Sequence, residues 1–381
     1  MALTLRRRAA AALLPILAAA GCGTVGEDPR ALPTPTDDAS PAPADDDAST
    51  TTVVTEGEQS GDDTADDDAA GPDESADADA DGDGDDLGET GDDPGDAAGE
   101  GSPETLPTSE STVLEGVTVA ANGAPVAGPG TAELAAQIDL AERTIRDPEA
   151  TAEQLALAGH LHQVAIRKLS HHPGWDSHVL ARLDDETAWR TQRNLDARRE
   201  FLDMSRSGRP ENVPAWEIIE PEPAESLLSY YREGEATYGV DWEVLAAINL
   251  VETGMGRIRG LSTAGAQGPM QFIPPTWDAF GEGDVNDPHD AILAAARYLD
   301  HSGFAVDPAD AIWHYNNHTN YVRAVQAYAD IMRRDPAAYT GFYHWRIYYF
   351  AEVGDLWLPV GYRRTEAGPA ADYLLENPQA N

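Results

Sequence analysis

The segment from Asp241 to Gly256 carries a clear helical pattern of apolar and polar positions. Its apolar residues recur at helical spacing and predict a helix with one face in a core. They are Val244, Leu245, Ile248, Val251 and Met255. Asp241 is a candidate N-cap, and Gly254 and Gly256 predict the end of the helix. Because Glu252 falls on the apolar face, the pattern places a carboxylate at the inner end of a buried helix.

Three further helices are predicted upstream, within residues 131–207. The first two have apolar stripes, which comprise Leu134, Ile138, Ala141 and Ile145, and then Leu155, Leu161, Val164, Ala165 and Leu169. Thr151 is a candidate cap for the second helix, and His171–Gly174 breaks the pattern. The third helix is expected over roughly 184–206. This region has no catalytic motif, so we expect it to pack against, or to position, other parts of the protein.

Downstream of Glu252 the pattern predicts short helices and one β-hairpin. The helices are expected at 291–299, from Pro308 through Trp313, and at 321–331. The β-prone segment 344–350, a turn at Gly354-Asp355 and the segment 356–360 predict the hairpin. Its aromatic side chains are expected to pack inside a small sheet, with sugar stacking as the alternative. The fold class predicted for the chain is therefore mainly α, with a small C-terminal β-hairpin.

Proline-rich sequence at 208–223 predicts a linker between two regions of the chain. We therefore expect a helical region at 131–207, a catalytic region at 224–335 and a C-terminal extension with the hairpin at 336–381.

The position of Glu252 has chemical consequences. A carboxyl group surrounded by apolar side chains resists ionisation, so its pKa rises, as a general acid requires near neutral pH. The following loop, residues 260–271, is rich in Gly, Ala and Ser, which lets a ligand approach the backbone closely. Ser262, Gln267 and Gln271 offer hydroxyl and amide groups that suit a sugar. The alternative is an ordinary helix end with a solvated glutamate.

Four motifs occur in the same order, and with the same spacing, as in a known family. They are Glu252-Thr253 after an apolar helix, the run STAGAQGPMQF at 262–272, the Ala-rich helix at 291–299, and Tyr315-Asn316 after an apolar segment. Over roughly residues 224–331 the chain resembles lytic transglycosylases of the soluble-transglycosylase type, which share the goose-type lysozyme fold. The Glu-Thr, Gly-Pro-Met-Gln-Phe and Pro-Thr-Trp details resemble the membrane-bound, single-domain branch and its actinobacterial relatives.

The resemblance implies a lysozyme-like catalytic domain that binds peptidoglycan glycan strands. Glu252 is then the single catalytic acid and base, cleaving the bond between N-acetylmuramic acid and N-acetylglucosamine and forming a 1,6-anhydro ring. The implied substrate-binding residues are Ser262, Gln267, Met270, Gln271, Tyr315 and Asn316. Tyr315 is also expected to support Glu252 by a hydrogen bond, and no cofactor is required.

Two alternative functions remain open from the sequence. A hydrolytic muramidase needs a second carboxylate, for which Asp284 or Asp287 is the candidate. A non-catalytic cell-wall-binding lipoprotein retains the fold without turnover. Product analysis separates the two reactions, because an anhydro end marks transglycosylation and a reducing end marks hydrolysis.

Residues 1–21 read as a signal peptide, with a basic segment at Arg6–Arg8 and a short apolar segment at 9–20. The sequence before Cys22 resembles a bacterial lipoprotein box, although Leu17 lies two places further upstream than that pattern expects. Cys22, the only cysteine in the chain, is therefore predicted to be lipidated. This prediction places the protein outside the cytoplasm, anchored to the cell membrane and facing the wall. Plain secretion is the alternative.

The chain carries a net charge of -43, and much of this charge lies in residues 22–112. That segment has about 29 acidic residues against one basic residue, Arg30, and almost no aromatic ones. Such a composition predicts a long disordered acidic linker, either a leash from membrane to wall or a solubilising spacer. A calcium site in the Asp-Gly repeats at 77–86 lacks the ligand spacing of a helical calcium loop.

Acidity also argues against nucleic acid as a partner, since that binding depends on clustered Lys and Arg. A metal site is not predicted either. Five histidines lie in the upstream helical region, at positions 160, 162, 171, 172 and 178, and their spacing matches no zinc signature. His314 and His318 form an HxxxH pair that lacks the glutamate of a zinc protease.

Overall fold

A computed structural model describes residues 108–205 and 208–378, and helices account for most of them. The prediction of a mainly α fold is therefore confirmed. The predicted signal peptide, Cys22 and most of the acidic linker lie outside the described residues. Within the described part of the chain, no helix combines the length and the apolar composition needed to cross a bilayer.

The upstream region forms four helices within the part of the chain that the structure describes. They are α1 (Thr131–Ile145), α2 (Ala152–Ser170), α3 (Asp176–Leu180) and α4 (Asp185–Met204). Thr151 caps α2 as predicted, in a capping box that it completes with Gln154. The Asp184 carboxylate caps α4 by accepting hydrogen bonds from two backbone N–H groups. These side chains offset the unpaired donors that every helix N-terminus leaves.

Eight helices follow in residues 208–378. They are α5 (Ala224–Tyr238), α6 (Trp242–Thr253), α7 (Pro274–Phe280), α8 (Pro288–His301), α9 (Pro308–Asn316), α10 (Thr319–Arg334), α11 (Ala338–Tyr343) and α12 (Ala370–Glu376). Helix α6 lies at the centre, where it packs against α5, α8 and α10. A Cβ added at Gly234 of α5 would lie 2.8 Å from Leu245 of α6 and 3.2 Å from Ala296 of α8. Small residues therefore bring these three helices close together.

The upstream helices share a hydrophobic core with the downstream ones. Helix α4 packs along α10, and α2 packs against α11. Ala197 and Phe201 of α4 are fully buried in the same cluster as Leu245, Val251 and Tyr328. The domain boundaries drawn from the sequence stay a prediction, but the helices on either side of residues 208–223 bury each other's apolar faces.

The strands are short and pair antiparallel, two at a time. They are β1 (Thr108–Glu110), β2 (Thr118–Ala120), β3 (Asn212–Val213), β4 (Glu217–Ile218), β5 (Ile258–Arg259), β6 (Ile347–Ala351), β7 (Gly354–Leu358) and β8 (Gly368–Pro369). The pairs are β1–β2, β3–β8, β4–β5 and β6–β7. The β4–β5 pair joins the segment after α6 to the chain just before α5.

Strands β6 and β7 form the predicted hairpin, but its turn was placed wrongly. Glu352 and Val353 form the turn, whereas Gly354 and Asp355 belong to β7 and pair with Ala351 and Phe350. Polar residues usually mark a turn. Here Asp355 is held in the strand because its carboxylate meets two buried arginines.

The aromatic side chains of the hairpin are buried, which favours packing over sugar stacking. Phe350 is 2% exposed, and Tyr348 and Tyr349 are also buried. The Tyr349 ring meets the edge of Trp216, at 5.6 Å between ring centroids. The hairpin shares a hydrophobic cluster with Trp216, which precedes α6, and with Ile258, which follows it.

Asp355 is the centre of a buried ionic cluster that ties the hairpin to α2 and α4. Its Oδ2 lies 2.5 Å from Arg167 Nη2 and 3.1 Å from Arg198 Nη2. Burial by itself raises the pKa of a carboxyl group, but the two guanidinium groups hold the pKa of Asp355 well below its ordinary value. Asp355 offsets part of the positive charge of the two arginines, which would otherwise be costly inside the protein.

Replacing Asp355 with asparagine should destabilise the fold, because two buried guanidinium groups lose their carboxylate. We expect the free energy of unfolding to fall by roughly 2–4 kcal/mol, allowing for the partial solvent access of Asp355. Chemical denaturation at pH 7 measures it. The matched control is Asp139→Asn, which breaks the exposed pair with Arg143 and should cost less than about 1 kcal/mol. Equal small losses in the two variants would contradict the assignment.

Candidate active site

Glu252 lies in the last turn of α6 and is 2% exposed. Its Oε1 accepts a hydrogen bond of 2.7 Å from the Tyr321 hydroxyl. Burial raises the pKa of Glu252 to about 8, and the hydrogen bond from Tyr321 opposes that rise. The carboxyl group is therefore mostly protonated at neutral pH, as the apolar stripe of α6 predicted.

The end of α6 is formed by three successive residues with positive φ. They are Gly254, Met255 and Gly256, at 61°, 67° and 83°. The glycines stop the helix as predicted, since they adopt the left-handed region without steric cost. At the other end, Asp241 occupies the N-cap position but makes no side-chain capping hydrogen bond. Its carboxylate instead pairs with Arg333 of α10, at 2.8 Å.

A buried polar network fixes the loop after β5 to α6. The carbonyl of Pro269 accepts hydrogen bonds from Asn249 Nδ2 at 2.8 Å and from the Thr253 hydroxyl at 2.5 Å. Asn249 in turn accepts a 2.6 Å hydrogen bond from the Tyr231 hydroxyl. All three side chains are completely buried. The Gly-Pro-Met-Gln segment is therefore fixed to Thr253, the residue that follows Glu252 in α6.

The structure gives the predicted loop residues different roles. Met270 is fully buried, so its side chain belongs to the core. Gln271 has φ of 52°, a conformation that is strained for a residue other than glycine, and its amide donates to the carbonyl of Gly268 at 3.0 Å. The backbone of Gln267 pairs with that of Phe272. The Ser262 hydroxyl shapes the loop by accepting hydrogen bonds from two loop N–H groups.

The predicted hydrogen bond from Tyr315 to Glu252 was wrong. The Tyr315 hydroxyl donates to the carbonyl of Met270 at 2.8 Å, and Tyr321 contacts the carboxylate. The two rings lie parallel, with centroids 6.5 Å apart. Tyr315 lies in the last turn of α9, whereas Tyr321 stands in the first turn of α10 and points inward with that helix's apolar face. Tyr315 therefore orients the loop, while Tyr321 orients the acid.

Tyr321 was missed because the sequence places it at the start of an amphipathic helix, where a tyrosine is an ordinary core residue. The detectable signal was its position on the apolar stripe of α10, which faces α6. Asn316, the last residue of α9, is half-buried next to Tyr315.

Aromatic rings form a continuous wall beside the loop. Phe272 meets Trp277 at 5.6 Å and Tyr315 at 6.2 Å between ring centroids. Tyr298 contacts Tyr315 and Phe280 edge-on. Several of these rings keep partial exposure. Such rings offer flat apolar surface with polar edges, which suits the faces of sugar rings.

The two candidate second carboxylates serve local structure. Asp287 caps α8 through its Oδ1, and Asp284 accepts a hydrogen bond from the backbone of Asn286. Neither is among the groups that shift the pKa of Glu252. Among the described residues, Asp287, His289 and Asp290 also lie close enough to share a metal ion, but Asp287 is exposed and the half-buried His289 is engaged with Glu233.

The comparisons with known proteins cover the same part of the chain as this site. The sequence model of the transglycosylase SLT domain matches residues 229–335. Membrane-bound lytic murein transglycosylase F of Thiobacillus denitrificans is 33% identical over 79 residues, which are 21% of this chain. The chain covers only 17% of that protein's length. No solved structure gives a significant match.

The matched segment begins within α5 and ends just after α10, so it contains α6, the loop and both tyrosines. Together with the helical architecture, these findings support a lysozyme-like SLT transglycosylase domain at residues 229–335 and a similarity to lytic transglycosylases.

Proposed function

We propose that this protein is a peptidoglycan lytic transglycosylase in which Glu252 is the single acid and base. The observation that carries the proposal is the buried Glu252 carboxyl, whose pKa is raised to about 8 and which is held by Tyr321. Its substrate is the β-1,4 bond between N-acetylmuramic acid and N-acetylglucosamine. The name of the murein-cleaving relative supports this substrate class.

In the first step, the protonated Glu252 donates its proton to the glycosidic oxygen. The bond from that oxygen to C1 of the muramic acid breaks, and N-acetylglucosamine leaves as an alcohol. The substrate's own N-acetyl group stabilises the positive charge that develops at C1. An acid with a pKa near the working pH is suited to this transfer.

In the second step, the Glu252 carboxylate removes the proton from the 6-hydroxyl of the muramic acid. Oxygen 6 then bonds to C1 and closes the 1,6-anhydro ring, which returns the proton to Glu252. No water is consumed. Tyr321 keeps the carboxyl group in place in both protonation states, since its hydroxyl donates to an oxygen that carries no proton.

The sugar is proposed to lie along the loop and the aromatic wall. Ser262, Gln267 and Gln271 supply polar groups from the loop, and Tyr315 and Asn316 supply them from the end of α9. Met270 acts indirectly, because its buried side chain anchors the loop and its carbonyl receives the Tyr315 hydroxyl.

The predicted signal peptide and lipidated Cys22 complete the proposal. An anchor at Cys22 with a long acidic linker allows the catalytic region to reach glycan strands from the membrane surface. Fully extended, about ninety residues span up to ~300 Å. Glycan strands and the membrane are the proposed partners, with no role for nucleic acid.

Mass spectrometry of muropeptides released from purified peptidoglycan tests the reaction. The wild-type protein should release anhydro-muropeptides, and Glu252→Gln should reduce their yield by at least about 100-fold, because general acid catalysis is lost. Glu243→Gln, in the first turn of the same helix, is the matched control and should keep activity.

Products with reducing ends would instead indicate hydrolysis. In that case Asp284→Asn and Asp287→Asn should each be assayed, since one of these carboxylates would have to activate water. Activity that survives in Glu252→Gln would contradict the role of this residue.

The pH dependence of turnover reports the protonation of Glu252. Because the acid must carry its proton, activity should fall as the pH rises through about 8. Tyr321→Phe removes a hydrogen bond that lowers this pKa, so the basic limb should move to higher pH while the turnover number falls about 10-fold or more.

The control for this pH measurement is Tyr328→Phe. Tyr328 is a buried tyrosine of the same helix that contacts Phe342 and Trp345. Its replacement should leave the basic limb in place. A basic limb at the same pH in Tyr321→Phe as in the wild type would contradict the role of the hydrogen bond to Glu252.

Burial of Glu252 also has a stability cost that depends on pH. Its pKa is raised above the value of the unfolded chain, so the folded state holds the proton more tightly. The contribution of the Glu252 protonation to the free energy of unfolding is fully favourable below about pH 4.5 and is lost as the pH rises through about 8. Glu252→Gln should therefore match the wild type in unfolding free energy near pH 4 and exceed it by about 4 kcal/mol at pH 7.5.

Denaturant titrations of the two proteins at several pH values measure this difference. Glu243→Gln again serves as the control, since its carboxylate is only partly buried. A constant difference across pH would show that Glu252 titrates alike in the folded and unfolded states.

A further inference from the structure

Arg257 is the largest fully buried side chain among the described residues, with 1% exposure. It follows the catalytic helix by four residues. Its Nη1 donates to the carbonyl of Gly254 at 2.8 Å, and its Nη2 donates to the carbonyl of Tyr343 at 2.7 Å. The guanidinium also lies 5.3 Å from the centre of the Tyr343 ring. One side chain thus joins the end of α6 to the end of α11.

The charge of Arg257 is compensated in an unusual way. In residues 108–205 and 208–378 no carboxylate lies within salt-bridge distance of it, and its Nε has no hydrogen-bond partner. Its two acceptors are carbonyls at the C-terminal ends of two helices, where the helix dipole is negative. Burial lowers the pKa of Arg257 to about 10, so the group stays charged at neutral pH. A buried charge without an ion pair usually indicates a specific role.

Further contacts tie the same helix end to the C-terminal extension. The Arg257 N–H donates to the carbonyl of Thr253 at 3.0 Å. A Cβ added at Gly254 would lie 2.4 Å from Cδ1 of Ile347, so β6 packs directly on the residue after Thr253. The turn that follows Glu252 therefore packs against residues of α11 and β6.

We propose that Arg257 is a positioning residue for Glu252, and that through it α11 and β6 form part of the active unit. The inference rests on the proposed function of Glu252 as the acid. Arg257 does not touch the carboxylate. It fixes the helix turn that carries Glu252, and a planar guanidinium is needed because two carbonyls on separate elements must be reached at once.

The action of Arg257 on Glu252 is geometric. The ionisable groups that face the Glu252 carboxyl from neighbouring elements are the hydroxyls of Tyr321 in α10 and Tyr315 in α9, and Arg257 is not among the charges that shift its pKa. A loosened helix end admits water to the carboxyl group, which lowers its pKa towards the ordinary value. A small misplacement of the acid lowers turnover more than substrate binding.

The test compares Arg257→Lys with the wild-type protein. Lysine keeps the positive charge but does not hold both carbonyls. We expect the turnover number on peptidoglycan to fall about 10- to 100-fold, with KM changed less than about 3-fold. The basic limb of the pH profile should move to lower pH, opposite to the shift expected for Tyr321→Phe.

Two variants guard against a general loss of stability. Ile347→Val removes only the methyl group that touches Gly254 and should give the same changes at a smaller size, about 2- to 5-fold in turnover. Arg190→Lys is the matched control, since Arg190 is a buried arginine bound to Glu142 and Thr187 instead. It should lower the melting temperature while leaving the turnover number and the basic limb unchanged.

A titration of the Glu252 carboxyl group by carbon-13 NMR, assigned with Glu252→Gln, separates this inference from the proposed function. In Arg257→Lys its pKa should fall by about one unit. If the wild type is inactive on peptidoglycan but the pKa still moves, the proposed function fails and the coupling stands. If Arg257→Lys changes only the melting temperature, with turnover and the Glu252 pKa unaltered, the positioning role is overturned.

Discussion

The removal of the Glu252 carboxyl group from water is the constraint on which the site depends. A carboxylate at this depth is unfavourable in its charged form, so the group holds its proton near neutral pH. The Tyr321 hydrogen bond satisfies one oxygen without supplying a charge that would force ionisation. The protonation of Glu252 near neutral pH thus depends on the exclusion of charged partners as well as on its burial.

Keeping water and charge away from Glu252 requires support from several parts of the chain. Helix α10 supplies Tyr321, the loop at 260–271 is fastened by Asn249 and Thr253, and α5 and α8 close around α6 through small residues. The upstream helices take part as well, because α4 packs along α10 and so backs the helix that carries Tyr321. The long-range contacts therefore converge on one turn of one helix.

Local patterns predicted what local physics decides. The apolar stripe and the two glycines predicted the position of α6 and the burial of Glu252. Thr151 was correctly predicted as the cap of α2. Both succeed because helix propensity and capping act within a few residues. The prediction that Tyr315 is the hydrogen-bond partner of Glu252 was wrong because that contact depends on tertiary packing. Tyr315 and Tyr321 are six positions apart, and only the packing of α9 and α10 decides which hydroxyl meets the carboxylate. The position of the hairpin turn was wrong for the same reason, since Asp355 is held in β7 by arginines that are far away in sequence.

The extent of the catalytic unit is a consequence of the same packing. The family match ends at residue 335, yet the turn after Glu252 is packed by Tyr343 and Ile347, which lie beyond it. Sequence similarity detects residues that meet the substrate or stop a helix. It does not detect the backbone carbonyl of residue 343, which any amino acid supplies at that position. Arg257 shows this dependence, because the cost of burying its charge is offset by hydrogen bonds to two carbonyls only while both helix ends stay in place.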